Sequence, residues 1–195
     1  RLNTVWSSLY RMIANTNAIL DRTVDHNGVL VGNYYGLVRG EALAIRAMLH
    51  FDLLRMYGPI YSVNKDLPCI PYVASSDRSV QPLLSSEKII EHIISDLDES
   101  ESLLRDSDPV RTEGPRNFSS VESNDFHYRQ YRLNYFAVKA LIARAYLWSG
   151  NNTKALETAK AVIEEGQNPS NEYFPFVTLQ DVRPSSTNYV SDRVF

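Results

Sequence analysis

Cysteine is almost missing from this chain of 195 residues, and the one thiol, Cys69, excludes an internal disulfide. It sits in Leu67-Pro68-Cys69-Ile70-Pro71 with no base patterned beside it, and reads as a small, semi-buried apolar side chain rather than a nucleophile. Histidine is scarce as well. The four present make no His-Glu-x-x-His run and no paired Cys/His spacing, so a zinc site has no support. Positive charge is not in surplus: 20 Lys and Arg stand against 23 Asp and Glu, for a net charge of −3. A nonspecific nucleic-acid surface needs the opposite balance. No apolar run approaches the ~18 residues of a membrane span. No signal peptide is read either, because Arg1-Leu2-Asn3-Thr4 leads straight into a helical pattern. There is no Gly-rich phosphate loop. Asp96, Asp98, Glu99 and Glu101 crowd one helix end and read as a solvated face, whereas a glycosidase needs two carboxylates opposed across a cleft.

What is present is an ordinary globular composition, 44% apolar and 22% charged, enough for one large domain or two small ones. The most informative stretch runs from Gly40 to Pro59. It is apolar nearly all the way round and carries only isolated charges: Glu41, Arg46, Asp52 and Arg55. A helix of that kind must be wrapped by others, so the fold is expected to be all-α with this helix at its centre. Glu41 and Arg46 then need buried polar partners and are read as structural. His50, one turn after Arg46, is read as a satisfied core histidine. Gly58 is expected to turn left-handed at the helix end, before Pro59.

Four further helices follow from periodicity and caps. The first spans about Thr4 to Asp21, with Asn17 on its apolar stripe needing a partner for its amide. Asp25 to Gly28 reads as a turn. Ser85 or Ser86 caps the next, whose stripe is Ile90, Ile93, Ile94, Leu97 and Leu104; His92 lies opposite that stripe. Asn134 caps another that ends at Gly150, and the last runs from about Asn152 to Gly166 with Ala155, Leu156, Ala159, Val162 and Ile163 as its buried face. Across Gly150, small residues (Ala143 against Ala155 or Ala159) are expected to let two antiparallel helices approach closely, as in half of a tetratricopeptide repeat. Two long loops, Ile60–Leu84 and Ser107–Arg132, join these helices, and loops of such length are commonly functional.

The ordered set of segments resembles the SusD/RagB family. Tyr10-x-x-Ile13-x-x-x-Asn17-x-Ile19-Leu20 comes first, then Gly40-Glu41-Ala42 through Tyr57-Gly58-Pro59-Ile60, then Ile90-x-x-Ile93-x-x-Asp96-Leu97, Tyr135 through Gly150, and Lys154-Ala155 through Val162-Ile163. The resemblance implies an all-α helical scaffold with tetratricopeptide-like helix pairs and long loops, residues 1–195 forming a single helical domain that is the N-terminal portion of a longer chain. Asp192-Arg193-Val194-Phe195 would lead into the remainder, and an exposed apolar patch is expected where that remainder docks.

The resemblance further implies a protein that is not an enzyme, needs no cofactor or metal, and binds oligosaccharide at the extracellular face of the outer membrane. Its partners would be the glycan, a SusC-like TonB-dependent transporter, and the membrane through a lipid anchor not contained in this chain. Sugars present C–H faces that pack on aromatic rings. The candidate ligand-binding residues are therefore the loop aromatics Phe118, Phe126, Tyr128, Tyr131 and Tyr72. Trp6, Tyr34, Tyr35 and Tyr61 are weaker candidates, Trp6 fitting helix packing better. The alternative is a tetratricopeptide-like scaffold for protein–protein interaction.

Overall fold

The computed structural model describes residues 2–24, 29–121, 124–168 and 171–174. The turn read at Asp25–Gly28, and the chain-end reading at Asp192–Phe195, lie outside the described residues. The elements are α1 (Leu2–Arg22), α2 (Asn33–Tyr57), α3 (Tyr61–Asn64), β1 (Pro68–Pro71), β2 (Leu83–Ser85), α4 (Ser86–Ser107), α5 (Val110–Glu113), a 3-10 turn (Arg129–Tyr131), α6 (Tyr135–Trp148), α7 (Asn152–Gly166) and the two-residue strands β3 (Gln167–Asn168) and β4 (Asn171–Glu172). The fold is all-α, with five long helices. The loop after α2 supplies one small antiparallel hairpin, β1 against β2, in which Ile70 pairs with Leu84. No helix among the described residues is long and apolar enough to cross a membrane.

The central helix is where the sequence puts it. α2 buries residues on every side, among them Leu43, Ala44, Ala47, Leu49, Leu53 and Leu54, and packs against α1 and most extensively against α4. Two glycines set that second distance. A Cβ on Gly36 would lie 1.9 Å from Ser107 Oγ, and one on Gly40 would lie 2.8 Å from Leu104 Cγ. Ser100 Oγ then donates to the Gly40 carbonyl at 2.7 Å, which a wider spacing would break. Gly40→Ala is expected to push α4 outward and cost about 1–3 kcal/mol, as overpacking does. Urea unfolding of that variant measures it, and an unchanged midpoint would contradict the close approach.

The polar residues on the apolar helices are tied together. Arg46 donates from Nε and Nη2 to the two oxygens of Asp96 (2.7 Å each), and from Nη1 to Asn17 Oδ1 (3.1 Å) and the Ala74 carbonyl (2.8 Å). Asn17 Nδ2 donates to the carbonyls of Val73 (2.9 Å) and Ser75 (3.0 Å). His50 is fully buried; Nδ1 donates to the Arg46 carbonyl and Nε2 accepts the Val73 N–H, which fixes the tautomer. One buried network thus bolts α1, α2, α4 and residues 71–76 together. Asp96 corrects the sequence reading: it is a buried ion-pair partner and not part of a solvated face, because it projects one turn from Ile93 on the same side of α4.

Two smaller points also differ. Gly58 ends α2 in an extended conformation (φ −78°, ψ 163°), and glycine is needed there because a Cβ would lie 2.5 Å from the Leu54 carbonyl oxygen. Gly150, by contrast, is left-handed (φ +79°) and makes the turn between α6 and α7. Those two helices pack together, with Ala155 buried and Ala143 and Ala159 half-buried. Leu156 and Ile163, expected on the buried face of α7, are exposed, as is Leu147 on α6. Ser85 and Asn134 are the caps of α4 and α6: their side-chain oxygens accept the N–H of Lys88 (3.3 Å) and Ala137 (2.9 Å).

Candidate functional site: a pinned aromatic loop

The segment from Gly114 to Arg132 connects α5 to α6 and carries four of the five candidate residues. What holds it is a guanidinium. Arg129 is buried and donates from Nε and Nη2 to Asp108 Oδ1 (3.0 Å) and Oδ2 (2.8 Å), and from Nη1 to Glu41. Burial works against the Arg129 charge, but Asp108 and Glu41 outweigh it and hold the group above its usual value. Asp108 also accepts the N–H groups of Val110 (3.2 Å) and Tyr135 (3.0 Å), so one carboxylate fixes the starts of α5 and α6 as well as the loop. The Arg129 carbonyl accepts Asn134 Nδ2 at 3.0 Å.

The rest of the loop is laced to itself. Arg116 donates to His127 Nε2 at 2.7 Å, and its carbonyl accepts the Tyr128 N–H at 2.8 Å. Ser119 and Asn124 exchange two hydrogen bonds of 2.8 and 2.9 Å. Gln130 Nε2 donates to Asn117 Oδ1 at 3.0 Å. Between the buried His127 and Arg129, Tyr128 takes a left-handed backbone (φ 58°), the one non-glycine residue to do so among the described residues. A bulky side chain there is strained by of order 1–3 kcal/mol, and such strain survives only where neighbours over-determine it. The Tyr131 N–H closes a turn onto the Tyr128 carbonyl at 3.1 Å, which sets the two tyrosines at the ends of a single 3-10 turn.

The candidates therefore divide. Phe118 (69% exposed), Tyr131 (74%) and Tyr128 (38%) stand out from the loop. Phe126 is half-buried, 4.7 Å from the Tyr34 ring, and Tyr34 in turn donates to Asp125 Oδ2 at 2.8 Å. Tyr72 departs from the expectation of a loop platform. It is buried, stacked between His50 (3.9 Å) and His92 (4.8 Å), with its hydroxyl donating to Asp96. Burial, reinforced by Asp96, pushes that phenol well above its ordinary value, so it stays neutral. Trp6 packs against Tyr10 and Tyr57. Sequence reasoning missed Arg129 and Asp108. The available signal was the lone Glu41 on an apolar helix, which required a cation from some distant segment.

The helical scaffold thus bolts an aromatic loop to its core and leaves Phe118, Tyr128 and Tyr131 exposed. The SusD-like family model, described as starch-binding and associating with the outer membrane, matches residues 1–115. The chain belongs to that SusD-like family. It is 25% identical over 99 residues to SusD-like protein P38 of Formosa agariphila, covering 51% of this chain and 18% of that protein. Among solved structures, a candidate sugar-binding protein of Bacteroides vulgatus is 29% identical with a TM-score of 0.63, over 84% of this chain and 33% of that one. A SusD superfamily protein of Bacteroides thetaiotaomicron is 22% identical with a TM-score of 0.70, over 90% and 34%. A laminarin-binding SusD-like protein is 19% identical with a TM-score of 0.60, over 90% and 32%. The chain thus spans about a third of the length of these solved structures.

Proposed function

We propose that this chain is the helical portion of a non-catalytic protein that binds oligosaccharide at the outer face of the outer membrane and passes it to a SusC-like TonB-dependent transporter. A lipid anchor outside this sequence would hold it at the membrane. The observation that carries the reading is the pinned loop: Phe118, Tyr128 and Tyr131 are exposed, while His127, Arg129 and Asn134 of the same stretch are buried and Arg129 is hydrogen-bonded to Asp108 and to Asn134. Rings displayed from a backbone already fixed before the ligand arrives need less loop ordering on stacking against a sugar face. Asn117, Gln130 and Arg132 on the same loop supply donors for hydroxyl groups. Membership of a family described as starch-binding, and a laminarin-binding protein of the same fold, support a polysaccharide-derived ligand. Tyr72, with both ring faces covered, acts as scaffold in this reading, and Phe126 props the loop against Tyr34.

Calorimetry of the full-length protein with a panel of plant and host oligosaccharides tests it. Tyr131→Ala and Tyr128→Ala are each expected to weaken binding about tenfold, equivalent to about 1.4 kcal/mol. Affinity should persist in chelator and change little between about pH 6 and 8, since no titrating ligand group is invoked. Unchanged affinity in both variants places the site elsewhere. Appearance of shortened sugars overturns the non-catalytic reading.

A further inference from the structure

The first helix carries two apolar stripes and buries only one of them. Trp6, Tyr10, Ile13, Asn17 and Leu20 face α2 and residues 71–76. The second stripe is Leu2, Val5, Leu9, Met12, Thr16 and Ile19, with alternating intervals of three and four residues, the spacing of a heptad seam. Leu2 (70%), Val5 (41%), Met12 (48%) and Ile19 (46%) are exposed along it. Thr16 turns its hydroxyl back to the Met12 carbonyl at 2.9 Å and needs no polar partner in the seam. The Tyr57 hydroxyl donates to the Leu2 carbonyl at 2.7 Å, which sets the end of α2, with exposed Met56, beside the start of α1.

The rest of α1 is also unlike a solvated helix. Of the eleven exposed residues between Leu2 and Leu20, Arg11 alone is charged; those outside the seam are otherwise Asn3, Thr4, Ser7, Ala14, Asn15 and Ala18. The shorter α7 carries Lys154, Glu157, Lys160, Glu164 and Glu165. A surface helix opposes its core with a charged or polar face. A helix this poor in charge, with two adjacent seams, is built to lie between two packed neighbours, and α2 is the one helix on which it packs extensively among the described residues.

The spacing defines the second neighbour. Intervals of three and four match the ridges of another α-helix crossing at about 20°, whereas a strand would need a period of two. At ~1.5 Å per residue the seam from Leu2 to Ile19 is about 25 Å long, which a helix of about 18 residues covers. A sugar is not favoured, because the seam offers no hydrogen-bonding side chain beyond Thr16. A lipid surface is not favoured either, since an interfacial helix sets a strongly charged face against its apolar one.

We propose that this seam seats an amphipathic α-helix from the remainder of the same polypeptide, outside these 195 residues. The inference rests on the reading above that the chain is a portion of a longer protein. It spans 33% and 34% of two solved structures that share its fold, so about two thirds of a protein of that length is available to supply the helix. A helix tethered to α1 by its own backbone also meets the seam at high effective concentration, which a separate partner does not.

Hydroxyl-radical footprinting of the unmodified full-length protein tests the seam without any variant. Met12 should oxidise at least about tenfold more slowly in the native protein than in urea, as a side chain released only by unfolding does. Met12→Cys and Ile19→Cys, each in the full-length protein, should likewise react with maleimide at least about tenfold more slowly than Ser102→Cys at an exposed position on α4. Mass spectrometry of the labelled peptides separates these thiols from Cys69, and circular dichroism verifies folding. A photo-crosslinking residue at position 12 should join to a segment of the same polypeptide, outside these residues, whose apolar side chains recur at intervals of three and four. Met12 oxidation within about threefold of the rate in urea overturns the proposal, because the seam then faces water. So does a crosslink to a second copy, to another protein, or to nothing. Intact mass of the mature protein separates the two failures: a mass no larger than this chain's overturns the reading of a longer protein, whereas an open seam in a longer protein overturns this inference alone.

Discussion

Arg46→Met lowers the unfolding free energy by about 3–5 kcal/mol, the cost of breaking a buried ion pair from one side. The substitution leaves Asp96 buried with its charge uncompensated, and it removes the donors to Asn17 Oδ1 and the Ala74 carbonyl at the same time. Tyr72 alone cannot neutralise Asp96, because a phenol kept neutral by burial contributes one hydrogen bond and no charge. Arg46→Lys should recover only part of the loss: a lysine keeps the charge but has no planar fork to span both carboxylate oxygens. Replacing both members, Arg46→Met with Asp96→Leu, should cost less than Arg46→Met alone. Urea denaturation of the three variants measures this. A loss below about 1 kcal/mol for Arg46→Met, as for an exposed pair, would mean that the network does not join the helices as described.

Acid should weaken the fold through His50. Burial, first of all, holds this ring's pKa down to about 4, from an ordinary value near 6.5. The Arg46 carbonyl and Asp96 favour the proton, and Arg46 and His92 oppose it. Above about pH 6.5 the ring is neutral in the folded and the unfolded chain, and contributes no pH dependence. As the pH falls through that value, the unfolded chain takes up a proton that the folded chain does not, and stability drops by up to about 1.4 kcal/mol per pH unit. The loss stops growing near pH 4, where the folded ring protonates as well, by which point it totals about 3 kcal/mol. His50→Gln should start lower at pH 7, having lost a bond to Val73 or Arg46, yet decline less steeply between pH 7 and 4. Parallel pH profiles for the two proteins would rule out His50 as the source of the slope.

The scaffold was legible in the sequence because its signals are local. The apolar run around α2, the caps at Ser85 and Asn134, and the turn at Gly150 each depend on residues a few positions apart. Even the need of Asn17 for a partner followed from its place on an apolar stripe. What could not be read was pairing at long range. Asp96 looked like one of several acids until Arg46, fifty positions earlier, was seen to face it. Tyr72 sits in a proline-rich stretch that reads as an outlying loop, yet its ring lies between two histidines that approach from different helices. On α7, periodicity marks Leu156 and Ile163 as buried, but a pattern records only which residues share a face, and both are exposed. In the candidate site, three of the five rings picked from the loops are exposed and two are not, and the anchor of the loop was not picked at all. Arg129 and Asp108 are single charged residues in a polar loop, distinguishable from a solvated pair only through burial.

That anchor carries a consequence for how such a surface can diversify. Arg129 ties the display loop to Asp108 and to Glu41 on the most deeply packed helix, so the loop and the helix should melt as one cooperative unit, and amide exchange at Tyr131 should follow global unfolding rather than local fraying. The side chains of Phe118 and Tyr131, by contrast, are mostly exposed. Substitution there should leave the melting temperature almost untouched and, if these rings bind the ligand as proposed, change only what is recognised, whereas a change at Arg129 would disturb the loop itself. Under the proposed function, selection for a new ligand acts on the rings alone.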